Sequence, residues 1–393
     1  MLLAGALSLP VFSTSAEQPT FAEAFTNGTA KLNFRYRYEF VDQEPIDSTA
    51  SASTLRSRLT WTSAPFRNFT WGAEADHVTV VGQERFNSTN NGRTQFPVVA
   101  DPEGFDLNQA YIKYANDQFS ITGGRQRNVS ADQRFIGGVA WRQNEQTYDA
   151  ARVQYKPSKT LSVNYSYVWA VNRIFGPDNG AQPADWDGDT HLIEADFKPS
   201  DQHSFKFYTY LLDFENDNGP ANSTATYGVN YLGSIGALSL DLGYARQSDY
   251  EASPLNYDAN YFRINAGYKI ATTTLRVGYE VLGSDDGIAG FRTPLATLHK
   301  FQGFADKFLA TPADGIRDLN IGASVKIGKL GATLSWHDFD SDEGSTDYGS
   351  EINLVATYPL SKRTSLLLKF ANYNADEFAT DTTKLWLMAN INF

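Results

Sequence analysis

The residues of this chain best suited to chemistry are arginines that recur at every second position. Arg35 and Arg37 alternate with tyrosine and phenylalanine, and Arg56 and Arg58 repeat this spacing in the next such segment. A guanidinium group presents a fork of N–H donors that suits carboxylates. If the two segments pair as a hairpin, the four arginines share one patch of wall, where like charges repel each other. We therefore expect the patch to bind an anionic solute, unless carboxylates from an inward-folded loop neutralise it.

Other basic residues belong to the same predicted solute path, either by their parity along a segment or by their place in a charged loop. They are Lys113, Arg125, Arg127, Arg134, Arg142, Arg152, Arg263, Arg276, His299 and Lys300. Basic residues outnumber acidic ones at the inward positions, although the net charge of the chain is −12. Rings of arginine and lysine favour anions. The alternative is that inward charges pair across strands, as Arg263 and Glu280 would across a short turn.

Two connections are predicted to fold inward. The 128–145 connection carries Arg134 and Arg142 together with Asp132 and Glu145, so it could narrow a lumen. The 283–317 connection is the longest and too apolar for a solvated loop. Its apolar residues fall at near-helical spacing, and they are Leu295, Leu298, Phe301, Phe304, Phe308 and Leu309. We expect a short amphipathic piece in the mouth or lumen of a barrel; the alternative is a protein-docking surface.

Two acidic segments, 213–219 and 338–344, place alternating carboxylates before a glycine. The candidate calcium ligands are Asp213, Glu215, Asp217, Asp338, Asp340 and Asp342. Calcium takes six to eight oxygen ligands, but neither segment has the glycine position and later glutamate of the best-known calcium loop. A solvated acidic turn is therefore the favoured interpretation, and no other cofactor is predicted.

Three observations limit the classes of function. The five histidines are scattered, and neither a Gly-x-Ser-x-Gly nor a His-Glu-x-x-His motif occurs, so we predict no enzyme. Cysteine is absent, which excludes disulfides and thiolate metal sites. The net charge of −12 argues against nucleic acid as a partner, since phosphate binding needs a basic face.

The elements that position these residues are segments of strict alternation. In Lys31–Phe40, apolar and aromatic residues occupy one face and charged or polar residues the other, as in a half-buried strand. Each segment approaches the ~9–11 residues that a tilted transmembrane strand requires. We predict 18 strands, which begin near residues 30, 53, 69, 107, 119, 147, 161, 191, 204, 224, 238, 260, 273, 319, 331, 350, 364 and 384.

Short and long connections alternate between these strands. Short turns such as 157–160 and 328–331 are followed by long polar connections such as 172–190. Barrels of outer membranes have short periplasmic turns and long extracellular loops. The prediction is an all-β chain that forms a single closed antiparallel transmembrane β-barrel of about 18 strands. Closure pairs every backbone group within the bilayer.

The composition agrees with this fold. Aromatic residues make up 14% of the chain, yet the mean hydropathy is −0.40. No run of about 20 apolar residues exists, which excludes a helical membrane protein. In a membrane barrel, lumen residues dilute the lipid-facing ones, which gives this combination.

The chain termini suggest export and membrane assembly. Residues 1–16 combine an apolar run with the small residues Ser13-Thr-Ser-Ala16, typical of a signal-peptide remnant; the alternative is a short buried helix. We then expect a periplasmic N-terminal segment at 17–28 and the barrel at 29–393. The final segment ends on Phe393 and resembles the signal read by the barrel-assembly machinery. The predicted location is the bacterial outer membrane, in contact with its lipid and lipopolysaccharide.

Several sequence segments are more specific than the alternation of apolar and polar residues that any barrel strand shows. They are Gly124-Arg-Gln-Arg127, Asp132-Gln-Arg-Phe-Ile-Gly137, Trp141-Arg-Gln-Asn-Glu-Gln-Thr147, Asn172-Arg-Ile-Phe-Gly176, Thr293-Pro-Leu-Ala-Thr-Leu-His-Lys-Phe-Gln-Gly303 and Ala305-Asp-Lys-Phe-Leu309. With the 18-strand layout, the chain resembles the alginate-export type of proteobacterial outer-membrane porins. The resemblance implies a monomeric channel with loops folded into the lumen and an electropositive path for acidic solutes.

The sequence therefore predicts a porin for the diffusion of small polar, anionic solutes such as sugar acids, carboxylates or oligosaccharides. One alternative is an export conduit for an acidic exopolysaccharide such as alginate. Another is a non-conducting adhesin or sheath barrel. Conductance in planar bilayers separates the channels from the sheath.

Overall fold

The computed structural model of the chain describes residues 20–251 and 253–393, so the predicted signal-peptide remnant lies outside the described residues. One short helix, α1 (Phe21–Thr26), precedes the strands. The strands are β1 (Thr29–Gln43), β2 (Ala50–Thr62), β3 (Phe69–Val80), β4 (Gly104–Ala115), β5 (Phe119–Gln126), β6 (Thr147–Tyr155), β7 (Leu161–Asn172), β8 (Asp185–Ser200), β9 (His203–Leu212), β10 (Thr224–Ile235), β11 (Leu238–Asp249), β12 (Asp258–Ile270), β13 (Thr273–Leu282), β14 (Ile316–Ile327), β15 (Leu330–Asp340), β16 (Asp347–Pro359), β17 (Thr364–Asn374) and β18 (Thr382–Asn392). Single 3₁₀ turns lie at Pro220–Asn222 and Leu298–Lys300. None of the described helices has the length and apolar character needed to cross a membrane.

The strands form one closed sheet. Each strand pairs antiparallel with its neighbours in the chain, and β1 also pairs with β18. Arg35 therefore lies opposite Arg56 of β2 on one side and Asn390 of β18 on the other. Closure pairs both edges of each of the 18 described strands, which is how a barrel avoids edge-to-edge association. The prediction of an all-β, closed antiparallel barrel of 18 strands is confirmed.

The two ends of the barrel differ in the length of their connections. At one end, the turn end, connections run from two residues (236–237) to six (63–68). At the other, the loop end, they reach 33 residues (283–315). Gly236 and Gly328 open two of the tightest turns with φ of +60°, a backbone conformation that glycine adopts without steric cost. The predicted alternation of short and long connections is thus present.

Side chains alternate between an apolar outer face and a polar inner face. In β1, the inward side chains of Arg37 and Glu39 are inaccessible to solvent. Tyr36, which precedes Arg37 and points outward, is 39% exposed. Outward leucines such as Leu59 and Leu334 are each 54% exposed. Large apolar side chains left on the outside mark a surface that needs an apolar partner. Bilayer lipid provides one for a closed barrel.

The hydrophobic core lies inside the barrel, towards the loop end. Two long connections fold inward there; we call them loop A (127–146) and loop B (283–315). Phe135 of loop A contacts Phe291 of loop B and Tyr261 of β12, with ring centroids 5.9 and 5.2 Å apart. Burial of these apolar side chains draws both loops out of solvent. The prediction that both connections fold inward is confirmed, although the helical piece of loop B is only one 3₁₀ turn.

The N-terminal segment packs on the outside of the barrel. Thr20 and Glu23 form a capping box at the start of α1, a helix that was not predicted from the sequence. Phe25 stacks on Trp61 of β2 with ring centroids 5.3 Å apart, and Phe21 meets Trp71 of β3 edge-on at 5.4 Å. Both tryptophans are outward, so α1 lies against the outer face at the turn end.

Candidate functional site

The contact between loops A and B divides the lumen. Thr297 of loop B donates to Gln133 of loop A twice, from its hydroxyl (2.7 Å) and from its backbone N–H (3.1 Å). Lys300 donates from Nζ to the Asp132 carbonyl at 2.8 Å. We call this contact, between residues 132–134 and residues 293–302, the seam. It holds the two loops together across the interior of the barrel.

Arg134 is the buried centre of the seam. Its Nε donates to Glu280 of β13 at 2.8 Å, and its guanidinium lies over the Phe301 ring at 4.5 Å. The other nitrogens reach Thr293 (3.4 Å) and Gln302 (3.3 Å). Burial lowers the pKa of Arg134, but the adjacent Glu280 carboxylate outweighs that effect, so the net shift is upward. Arg134 therefore stays charged and serves as a structural anchor between both loops and the wall.

His299 anchors loop B to the opposite wall. Its ring stacks on Trp141 of loop A at 4.6 Å, with Nδ1 2.6 Å from Asp306 and Nε2 2.6 Å from Nζ of Lys369 in β17. Burial lowers the pKa of His299 to about 3. A neutral ring that donates from Nδ1 and accepts at Nε2 satisfies both partners. His299 is therefore a positioning group that holds loop B against the wall of the barrel.

Asp306, the hydrogen-bond partner of His299, also forms ion pairs with two basic side chains. It lies 2.9 Å from Lys384 of β18 and 3.3 Å from Arg142, which also reaches Glu39 at 3.0 Å. Burial raises the pKa of Asp306, but His299 and Lys384 together hold it well below its usual range. Arg142, predicted to line the path, is instead buried in this ion-pair network.

The arginines of the first hairpin lie on one inward patch, as predicted, but they do not face an open lumen. Arg37 is inaccessible and pairs with Glu39 at 2.6 Å, and Arg58 pairs with Asp76 of β3. Arg35 donates to loop A, to the carbonyl of residue 140 at 2.8 Å and to that of residue 142. Arg56 donates to Asn33 at 2.8 Å. The expectation of an exposed anion-binding patch is wrong because loop A covers it.

The alternative of neutralisation by loop carboxylates is correct in part. Glu145 lies 3.2 Å from Arg58 and also pairs with Arg127, so loop A does bring an acid to the patch. Asp132 does not take part, since it pairs with Arg263 at 3.1 Å. Glu145 therefore offsets two predicted path residues, and Asp101 of the 81–103 connection lies 3.6 Å from a third, Arg37.

The predicted cross-strand pair and another predicted path residue, Arg125, also have partners that differ from expectation. Arg263 and Glu280 are cross-strand partners, but Arg263 pairs with Asp241 at 2.9 Å while Glu280 binds Arg134. Arg125 pairs with Asp149 at 2.8 Å near the loop end. The wrong assignment of the Arg263 partner arose because a loop residue intercepts Glu280.

Below the seam, a cavity of about 1280 Å³ extends to the turn end; we call it the vestibule. Its lining includes five basic and five acidic side chains, namely Lys159, Lys198, Arg263, Arg276, Lys300, Asp132, Asp201, Asp241, Glu280 and Asp318. Four of the acids are already held by protein donors, since Asp132 and Asp241 bind Arg263, Glu280 binds Arg134 and Asp318 binds His337.

The basic side chains of the vestibule are held less tightly. Arg276 is exposed to the cavity. Among the described residues its guanidinium makes one hydrogen bond, from Nη1 to the Ser324 hydroxyl at 2.9 Å. Within residues 20–251 and 253–393, none of Lys159, Lys198, Arg276 or Lys300 lies within 4.0 Å of a carboxylate. The same holds for the predicted path residues Lys113 and Arg152 on the inner wall. The vestibule therefore offers cations for a solute to contact, while most of its acids are occupied.

The acidic calcium candidates do not gather into one site. Asp338 and Asp340 point to the outer face of β15, and Asp342 accepts from the Ser284 backbone at 3.1 Å. In the part of the chain that the structure describes, no three acidic or histidine side chains form a group able to hold a metal ion. The weak calcium site stays a prediction.

Sequence reasoning missed several polar residues that fix the loops. Gln143 accepts from Arg35 at 3.0 Å, Gln133 binds Thr297, and Asp306 binds His299. The only available signal was their place inside charged or apolar connections. Their partners lie more than a hundred residues away in most cases, so no local spacing revealed them.

Comparison with known proteins gives one family and many similar folds. Residues 28–281 match the profile of the alginate export family. No protein of curated function matches the chain in sequence. OccAB4 of Acinetobacter baumannii is similar with a TM-score of 0.72 at 15% identity, over 93% of this chain and 98% of that chain.

Two structures from Pseudomonas aeruginosa are also similar. OccK3 (OpdO) gives a TM-score of 0.71 at 13% identity, over 95% of this chain and 97% of its own. OpdK, solved with vanillate, gives 0.70 at 13% identity, over 93% of this chain and 98% of its own. At these identities the likeness concerns the fold.

Proposed function

Since the chain belongs to the alginate export family, we propose that it is an outer-membrane porin through which small anionic solutes diffuse. The turn end then faces the periplasm and the loop end the cell exterior. The apolar outer face contacts lipid and lipopolysaccharide, and Phe393 directly follows β18, the strand that the barrel-assembly machinery reads. The chain acts as a channel, and no catalytic step is assigned to it.

The observation that carries the proposal is the imbalance of pairing in the vestibule. Its acids are mostly bound to protein donors, whereas Arg276, Lys300, Lys159 and Lys198 have no carboxylate partner among the described residues. Unpaired guanidinium and ammonium groups attract carboxylates of a passing solute. OpdK, which is similar in fold, was solved with vanillate, a carboxylate. A small carboxylate is therefore the solute class that this vestibule suits best.

Family membership also supports export of an acidic polysaccharide as a second candidate. The seam argues for the smaller solute, because Arg134, Phe135 and Leu295 fill the interior above the vestibule. A polymer chain would have to displace both loops, while a small carboxylate needs only a narrow path between them.

The test is the reversal potential in planar bilayers under a salt gradient. Arg276→Ser removes one vestibule cation, so we expect anion selectivity to fall by a factor of about two and block by a small carboxylate to weaken. Arg246→Ser is the matched control, since Arg246 lies on the outer face with Asp258, 3.2 Å away. An absence of conductance steps would favour a sheath barrel. Equal selectivity in both variants would remove Arg276 from the solute path.

A further inference from the structure

The outer face carries an apolar groove near the turn end. It has a volume of about 400 Å³ and crosses four neighbouring strands and β15. Pairing places Tyr36 of β1 opposite Ala389 of β18, Ala389 opposite Leu366 of β17, and Leu366 opposite Tyr358 of β16. These outward side chains form a row across the sheet, perpendicular to the strands.

Small residues create the depth of the groove. Ala389 lies between Tyr36 and Leu366, and Ala356 lies opposite Leu368 in the adjacent row. Leu330 of β15 completes the rim. A methylene occupies a volume close to the ~30 Å³ share of a water molecule, so the groove holds on the order of ten methylenes. This is the size of a segment of one lipid acyl chain.

Three cations lie at the turn end of the same strands. Lys329 directly precedes Leu330, and Lys362 and Arg363 directly precede β17. Leu366 follows Arg363 by three residues, about 10 Å along a strand. All three cations are exposed, and among the described residues none of them forms an ion pair. The Arg363 guanidinium lies 6.0 Å from the centroid of the Phe393 ring.

We propose that the groove and these three cations bind one anionic phospholipid of the periplasmic leaflet. The inference rests on the proposed membrane location. Inside a bilayer an acyl chain gains little by moving from lipid to protein, so the groove sets position rather than preference. The preference comes from the cations, which attract an anionic headgroup at the membrane surface. Charge complementarity and continuity with the apolar outer face thus both indicate a lipid with a negative headgroup.

The test is native mass spectrometry of the full chain in detergent, titrated with phosphatidylglycerol or with phosphatidylcholine. The wild type should retain one phosphatidylglycerol in preference to phosphatidylcholine. Lys362→Gln with Arg363→Gln should weaken that preference by about tenfold. Arg67→Gln with Lys156→Gln removes two cations from other turns and should keep it. Equal preference in the wild type and in Lys362→Gln/Arg363→Gln would overturn the proposal.

A second variant tests the groove itself. Ala389→Phe fills the groove from the lipid-facing side, where an apolar replacement is tolerated, and heat-modifiable gel mobility checks that the barrel folds. Both lipids should then be lost from the complex. Retention of one bound lipid in this variant contradicts the groove. Conductance in pure phosphatidylcholine bilayers separates the proposals: a barrel that selects phosphatidylglycerol without conducting contradicts only the channel, and the reverse contradicts only the lipid site.

Discussion

Arg134 in the seam and Arg276 in the vestibule are both arginines inside one barrel, yet their surroundings are opposite. Arg134 is inaccessible and has partners for each of its nitrogens, including Glu280 at 2.8 Å. Arg276 is exposed to the cavity, and within the described part of the chain its side chain makes a single hydrogen bond, to Ser324. A buried ion pair is costly to break, whereas an exposed charge contributes little to stability. An inward arginine is thus structural or functional according to its partners and not its position in the strand.

The largest expected effect comes from breaking the seam. Arg134→Ala leaves Glu280 buried without its cation, which costs about 3–5 kcal/mol. We expect loops A and B to separate, so limited proteolysis within loop B should accelerate and single-channel current should become larger and noisier. The double variant Arg134→Met with Glu280→Gln removes both charges and should restore much of the protection. Protection of loop B in Arg134→Ala equal to that of the wild type would contradict the anchoring role.

A smaller effect is expected from Arg35, which tests the same contrast on the first hairpin. Arg35→Ser removes donors to two loop A carbonyls and to Gln143. Hydrogen bonds from a charged group are worth about 1.5–3 kcal/mol, so loop A should open more often and the current should fluctuate. The reversal potential should remain that of the wild type, unlike the shift expected for Arg276→Ser. A clear shift towards cations in Arg35→Ser would show that loop A leaves the patch open to solutes.

The smallest effect concerns pH and His299. The pKa of His299 lies near 3 in the folded protein and near 6.5 in an unfolded chain. As the pH falls, the unfolded state therefore binds the proton before the folded state does. The contribution of neutral His299 to the stability of the folded state is complete above pH 6.5 and decreases as the pH falls towards 3. Between pH 7.5 and 5.5 the anchoring of loop B should weaken by about 1 kcal/mol. Proteolysis of loop B should accelerate accordingly, and His299→Gln should remove that pH dependence.

The strands could be predicted from the sequence better at one end than at the other. Strands that begin at the turn end start within one residue of prediction, as for Leu161 and Thr364. Most strands that begin at the loop end start two to six residues earlier than predicted, and β8 starts at Asp185 instead of 191. The lumen at that end is lined by loops, and the strands continue into polar sequence. Period-two hydrophobicity stops there although backbone pairing does not.

The site itself could be predicted only as far as strand parity extends. Parity correctly placed Arg35, Arg56 and Arg276 inside, because successive side chains of a strand face opposite sides. Parity does not predict that loop A covers Arg35 and leaves Arg276 exposed, since this difference depends on where loop A packs in the lumen. Inward-folded loops supply hydrogen-bond partners that are distant in sequence, such as Gln143 for Arg35. The spacing of residues within a strand does not predict these partners.

The pairing of β1 with β18 has a consequence for how the chain reaches this state. Asn33 contacts Asn392 across 359 positions of sequence, so the contact that completes the barrel joins segments far apart in the chain. Contacts of such separation slow folding, because the entropy of closing the intervening chain is lost before they form. Until then β1 and β18 each carry a row of unsatisfied N–H and C=O groups, which another chain could capture. The rate of closure relative to encounters between unfinished barrels thus sets the yield of folded protein.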